Sequence, residues 1–341
     1  MYTFKNTEIN NKKASEFETK SLLYLLGMRK DSEEIEYLTM DCFNDVTGLN
    51  DCCSKLWDVQ SKNHKSLPPS KIGVSLYTLY DNFISSISFE DYILFIPKLK
   101  RDYLIDKSLN CYTYDNINEK TKKGIEKKLK EEVLRVNPEY STPPLFDEFL
   151  TNITFVEDNK QIGTYIKQIS SFKNKKEFSN NLYESIFNEI RSIQTNLKNS
   201  YIENSEIYHI KEVLSFNRHI TKDEINTLLI SRFIGVDIFS YKSIPFDFFD
   251  VIKDVEDTED RKDLLEECQS NLSRAFFNKN ESKNFWNVSE QLIKLVKNNL
   301  SDDIFEIHNK LDNIIKNKSE YLTDTTILYM TALIKEGLND N

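Results

Sequence analysis

Between residues 14 and 28 the apolar positions Phe17, Leu22, Tyr24, Leu25, Leu26 and Met28 fall on one broad arc at about 100° per residue, which predicts an amphipathic helix. Glu18 lies inside that arc, near Leu22 and Leu25. Glu16 points the other way, four residues before Lys20, as a solvated i,i+4 pair would. Glu18 is therefore the acidic residue that needs an explanation. Residues 35–43 alternate as a strand does, and Asn44-Asp45-Val46-Thr47-Gly48 follows with turn chemistry. Residues 55–61 read as a second strand, with Trp57 and Val59 on one face and Leu56, Asp58, Gln60 and Lys62 on the other. Ser70 caps a helix on which Ile72, Leu76, Leu79, Tyr80, Phe83, Ile84 and Ile87 recur at helical intervals. Asp91 to Ile96 is a continuous run, as in a strand buried on both faces. The order helix, strands, helix, strand predicts an α/β sandwich of about 100 residues.

Further along, residues 121–136 are helical in spacing and rich in lysine, and Pro138, Pro143 and Pro144 then interrupt the chain. They mark an expected boundary between an α/β domain, residues 1–140, and a mainly α-helical domain, residues 141–341. Helices are expected at 176–198, 205–216, 221–234, 258–277, 281–300, 302–316 and 323–338, with Thr221 and Glu224 as a capping box. Phe233, Phe239, Phe246, Phe248 and Phe249 read as helix-packing core rather than base-stacking platforms. No repeat of fixed period is present.

Length and composition agree with two domains, each able to bury a core: 341 residues, 22 Phe, 17 Tyr, and only 7 Gly and 7 Pro. The net charge of −10 argues against a chain that holds nucleic acid by itself, because affinity grows with neutralised phosphates. It does not argue against a nuclease delivered to DNA by a partner. Five cysteines without a C-x-x-C pair suggest neither a disulfide framework nor zinc. A polar start carrying Lys5, Lys12 and Lys13, and apolar runs far short of a membrane span, lead to an expected cytoplasmic location without membrane association.

The chemistry gathers in Trp57-Asp58-Val59-Gln60-Ser61-Lys62, with Asp45 upstream and Glu18 further back. On a strand, Gln60 and Lys62 share a face roughly 6–7 Å apart. A carboxylate, an amide oxygen and a lysine converging there can hold a hard divalent cation and orient water, the equipment of a metal-dependent phosphodiesterase. The bland alternative is the wet face of a half-buried strand. Asp41 is an alternative to Asp45, and Asp58 reads as a flanking solvent carboxylate. His64 reads as an exposed loop residue, and His209, His219 and His308 are dispersed on helices without a ligand pattern. The lysines at 120, 122, 123, 127, 128 and 130 have two readings. They form a solvated helix face interleaved with Glu119, Glu126, Glu131 and Glu132, or a surface that positions phosphates. No GxGxxG, Walker or zinc spacing is present.

These residues resemble the PD-(D/E)xK, restriction-endonuclease-like superfamily over about residues 14–97. Phe17-Glu18 is similar to the helix motif that places a first glutamate, Asp45 to the acidic residue after the first strand pair, and Gln60-x-Lys62 to the third element with glutamine in place of the acid. Within the superfamily the segment most resembles the double-stranded-DNA endonuclease effectors of bacterial anti-phage systems of the CBASS and Lamassu kinds. The resemblance implies a Mg²⁺- or Mn²⁺-dependent endodeoxyribonuclease. Asp45 would be the first ligand, Gln60 would lend a neutral amide oxygen, and Glu18 would bind a second metal or hold the first through water. Lys62 would orient the attacking water or stabilise developing charge. It also implies double-stranded DNA as substrate. The partner would be an SMC-like ATPase subunit, or further copies of the chain joined through the C-terminal helices. Two other classes stay open: a catalytically inactive nuclease-fold adaptor in a multi-protein complex, and a purely helical interaction protein.

Overall fold

Phe17, Leu22, Leu23, Leu25 and Leu26 are all buried on one helix, α1 (Glu16–Gly27), which lies on one face of a mixed sheet. The computed structural model describes residues 1–4, 16–64, 66–199, 201–316 and 319–339. Lys5, Lys12, Lys13 and the first two residues of the expected helix lie outside them.

The described strands are β1 (Tyr2–Thr3), β2 (Ile35–Met40), β3 (Val46–Asn50), β4 (Leu56–Ser61), β5 (Asp91–Pro97), β6 (Cys111–Thr113), β7 (Ile153–Asp158), β8 (Glu206–Ile207) and β9 (His219–Thr221). Seven of them form one sheet in the order β6-β7-β5-β4-β3-β2-β9. The β2–β3 and β3–β4 pairs are antiparallel, while β4–β5 and β5–β7 are parallel. Strand β4 is central, paired on both edges and buried along its whole length, so its polar residues are not on a wet face.

Alternation along β4 sends Trp57 and Val59 toward α1 and Leu56, Asp58 and Gln60 toward the opposite layer. On the α1 side Phe17 meets Phe95 edge-on at 5.8 Å between ring centres. On the other side lie α2 (Pro69–Ser75), α3 (Tyr77–Phe83), α4 (Glu119–Val136) and α5 (Phe146–Thr151). There Leu49, Leu56, Leu94, Leu79, Tyr80 and Phe149 belong to one buried cluster. A Cβ on Gly73 of α2 would stand 2.5 Å from the Ile125 carbonyl oxygen of α4, so the close crossing of these helices needs glycine there.

Two further helices, α6 (Ile162–Ile169) and α7 (Asn180–Leu197), follow β7. The chain divides into two compact units, Met1–Ile169 with Tyr183–Lys222, and Ser170–Leu182 with Asp223–Asn341. The first is an α/β unit and the second is helical, but the boundary expected near residue 140 is corrected. β7 lies inside the sheet, between β5 and β6, and β9 is added beside β2. The helix expected at 205–216 is replaced by β8, which pairs with β1, and a 3₁₀ turn at Ile210–Phe216.

The second unit carries α8 (Lys222–Ile234), α9 (Phe249–Ile252), α10 (Thr258–Phe277), α11 (Ser282–Asn298), α12 (Ile304–Lys310), α13 (Asn313–Lys316) and α14 (Asp324–Asn339). Its core includes Phe172, Phe233, Phe276, Phe285, Trp286 and Tyr329. Phe248 is buried as expected of core, whereas Phe246 and Phe249 are exposed, because 246–252 is a short 3₁₀-to-α turn rather than one face of a long helix. No helix among the described residues is long and apolar enough to cross a membrane.

Candidate functional site

Asp41 and Asp45 open and close the loop that joins β2 to β3, with the Asp41 amide donating to the Asp45 carbonyl at 3.3 Å. Asp41 has φ +49, a left-handed conformation that aspartate tolerates better than most residues. The loop thereby delivers two carboxylates to the end of the sheet where β4 finishes.

Asp45 is drawn onto the last residues of β4. Its Oδ2 accepts from the Gln60 amide at 2.6 Å, the Ser61 backbone N–H at 2.7 Å and the Ser61 hydroxyl at 2.8 Å. Gln60, almost wholly buried, accepts at Oε1 from the Thr78 hydroxyl at 2.6 Å. Lys62 follows directly, its backbone N–H on the Phe95 carbonyl at 3.0 Å. Its half-buried side chain has no hydrogen-bond or ion-pair partner among the described residues. Asp45 and Gln60 are thus in direct contact and Lys62 is next in line.

Glu18 is brought to the same end by α1 but meets a different partner. The Lys198 ammonium lies 2.7 Å from Glu18 and 3.0 Å from Asp41, with its side chain only 5% exposed. Gln194 of α7 accepts from Thr19 at 2.8 Å, and one helical turn later Lys198 falls beside Glu18. Arg218 donates to the Asp41 and Lys198 carbonyls at 3.1 and 3.0 Å, fixing both backbones. Burial pushes the Asp41 carboxyl up to about 6 against the pull of Lys198, with Asp45 and Glu18 adding their negative charge. For Lys198 burial works the other way, and Asp41 and Glu18 outweigh it to hold the ammonium above the ordinary lysine range.

Asp58 is not a solvent carboxylate. It is fully buried and accepts from Asn44 at 2.6 Å, Asn82 at 2.7 Å and Thr47 at 3.3 Å. Burial raises its pKa to about 7, opposed by those donors. Asn82 also donates to the Phe43 carbonyl at 3.2 Å, so Asp58 and Asn82 together clamp the loop that carries Asp45. Lys20 is not the solvated partner expected of it. Its pair with Glu16 is present at 2.8 Å, but the ammonium is buried and also reaches Asp158 at 3.0 Å and the Lys160 carbonyl at 2.9 Å. His64 is exposed, and His219 sits on β9 rather than on a helix.

Among the described residues no group of three or more His, Cys, Asp or Glu is arranged to hold a metal ion. The three ligands expected from sequence do not form one set, because Glu18 is engaged by Lys198. Asp45 and Gln60 alone fit a hard cation that keeps most of its water, the usual habit of Mg²⁺. Asp45 Oδ1 accepts no hydrogen bond among the described residues. The Gln60 amide can turn its oxygen toward Asp45, because the Thr78 hydroxyl accepts as readily as it donates.

Sequence reasoning missed Lys198, Ser61, Thr78, Asn82 and Arg218. Ser61 stands inside the Gln60-x-Lys62 motif, and its role could have been found. Lys198 and Arg218 gave no local signal. Comparison of the chain with protein-family models, with curated proteins and with solved structures finds no match.

Proposed function

We propose that the chain is a metal-dependent endodeoxyribonuclease of the restriction-endonuclease-like kind, acting on double-stranded DNA as an effector in bacterial anti-phage defence. The observation that carries the chemistry is the contact of Asp45 with Gln60 and Ser61 at the end of β4, where the unpaired Lys62 begins. Support for the fold comes from the order α1, β2-β3-β4, α2-α3, β5, with β5 parallel to β4.

In this reading a bound Mg²⁺ or Mn²⁺ supplies a water of lowered pKa and charge for the phosphate oxygens. Asp45 Oδ1 would hold it, joined by the Gln60 oxygen once that amide turns from Thr78, and Ser61 keeps Asp45 aimed. The Lys62 ammonium stabilises negative charge that develops on the phosphate, as a donor placed in advance of the reaction does. Glu18, Asp41 and Lys198 set the charge beside the site without contacting the reacting atoms. The salt bridge from Lys198 to both carboxylates favours a second reading, a nuclease-fold adaptor without catalysis, in which an ammonium neutralises the acidic side.

The test combines plasmid cleavage with calorimetric Mn²⁺ binding on the full chain. Cleavage that needs Mg²⁺ or Mn²⁺, stops on chelation and disappears in Lys62→Ala with Mn²⁺ binding retained is the expected result. Asp45→Ala should lose both readouts. It should also cost about 1–3 kcal/mol of stability, because the Ser61 N–H loses its acceptor. Absence of both metal binding and cleavage leaves the adaptor.

A further inference from the structure

We infer that the outer face of α4 is a contact for the backbone of duplex DNA, made by Lys120, Lys123, Lys127 and Lys130; this rests on the nuclease reading above and names the surface that seats its substrate. The acidic net charge hides this face, and the structure sorts the charges of α4 in a way the sequence leaves open. Glu119 takes Lys122 at 3.3 Å, Glu131 takes Lys128 at 2.9 Å and Glu132 takes Arg135 at 2.7 Å. Glu126 accepts from the Tyr114 hydroxyl at 3.2 Å. The acids are thus engaged, and four lysines are left over.

Lys120, Lys123, Lys127 and Lys130 are all exposed, and none has a carboxylate within ion-pair distance among the described residues. Lys130 lies over the Phe146 ring at 4.6 Å, which positions it without neutralising it. Their spacing of three, four and three residues puts them on one stripe of the helix, about 15 Å long at 1.5 Å per residue. One strand of a duplex carries a phosphate about every 3.4 Å of axis, so the stripe matches a run of about four. A small globular acid could not use that length; a rod of regular negative charge can.

The stripe belongs to the same unit as the site. Gly124, between Lys123 and Lys127, packs so closely on Pro69 that an added Cβ would meet its ring carbon at 2.8 Å. Pro69 is the first residue of α2, which the chain reaches directly after leaving Lys62, and α3 beyond it supplies Thr78 to Gln60. The helix crossing that requires Gly73 fixes α4 against this layer, so the stripe is held in a constant relation to the end of β4.

The experiment is fluorescence anisotropy of a labelled 20-base-pair duplex with the full chain in chelator, over a KCl series. Each neutralised phosphate contributes about 0.9 to the slope of log affinity against log salt. The variant K120Q/K123Q/K127Q/K130Q should therefore lose about 3–4 from that slope, and about 100-fold or more in affinity at low salt. K122Q/K128Q, which removes lysines already paired, should change the slope by less than about 1. Should loss of Lys130 from the Phe146 ring disturb folding, K120Q/K123Q/K127Q carries the test with a loss of about 2–3. An unchanged slope, or no duplex binding by the unaltered chain, overturns the proposal. Tighter binding of poly-glutamate than of duplex at matched charge also overturns it, in favour of an acidic protein partner. Duplex binding with the expected slope but no Mn²⁺-dependent cleavage sinks the nuclease reading and leaves the stripe. Cleavage together with an unchanged slope sinks the stripe alone.

Discussion

Lys198 is the residue on which the acidic side of the site depends. It holds Glu18 and Asp41 from a position almost closed to water, so its removal takes one buried ammonium away from both carboxylates. Truncating one partner of a buried ion pair costs about 3–5 kcal/mol, whereas replacing all partners together is often close to neutral. Lys198→Ala is therefore expected to lose about that much in urea denaturation, and the triple variant E18Q/D41N/K198M to recover most of it. A loss under about 1 kcal/mol for the single variant would show that water screens these charges after all. At this scale the site was half legible. The closeness of Asp45, Gln60 and Lys62 could be read because strand alternation and a nearby turn place them, whereas Glu18, expected as a metal ligand, meets an ammonium partner instead. The partner itself could not be read, since Lys198 reaches Glu18 across 180 residues of chain. Asp58 was misplaced for a related reason. Alternation gives its face but not that Asn44 and Asn82 close over it.

The elements are tied together by contacts that also make the unit sensitive to acid. Just past α1, Arg29 grips Asp31 with both Nε and Nη2, at 2.7 and 2.8 Å, and reaches Asp91 at the start of β5 at 2.7 Å. Trp57 of β4 donates to Asp31 at 2.9 Å, so one ion-pair cluster joins a helix end to two central strands. The Arg29 guanidinium, with the Trp57 donor, holds the Asp31 carboxyl below its usual range despite partial burial. A carboxyl depressed in the folded state contributes stability that is complete above its unfolded value, near 4, and lost as pH falls through the lower folded value. Asp31→Asn is expected to cost about 1 kcal/mol at pH 7 and to flatten that share of the acid-induced fall in melting temperature below about pH 4. An equal deficit at pH 2.5 and pH 7 would remove the ion pair as its cause. Long helices with a clear period were legible, among them α1, α4, α10 and α11, and β5 was legible from its continuous apolar run. β7 was not. Ile153–Asp158 is six residues of mixed polarity, too short for its period to separate strand from helix, and only pairing with β5 and β6 makes it a strand.

At the scale of the molecule, β7 decides where the first unit ends. Prolines at 138, 143 and 144 mark the boundary expected from sequence, yet they interrupt a chain that returns to the sheet a few residues later. Cutting at residue 140 removes β7 from between β5 and β6, which leaves the parallel edge of β5 open to water. It strips Lys20 of Asp158 and takes Lys198 and Arg218 from the site. An exposed apolar strand edge and unpaired buried charges each oppose folding. Residues 1–140 alone are therefore expected to show no cooperative thermal transition by circular dichroism. Residues 1–222, which keep β7, α7 and β9, should melt in one transition with the sheet signal intact. Activity should follow the same cut, so any nuclease or duplex-binding function assigned to the first unit should survive in 1–222 and vanish in 1–140. A cooperative melt of 1–140 near the temperature of the full chain would mean that the sheet is complete at β5, and that the remaining strands are additions rather than part of what holds the site.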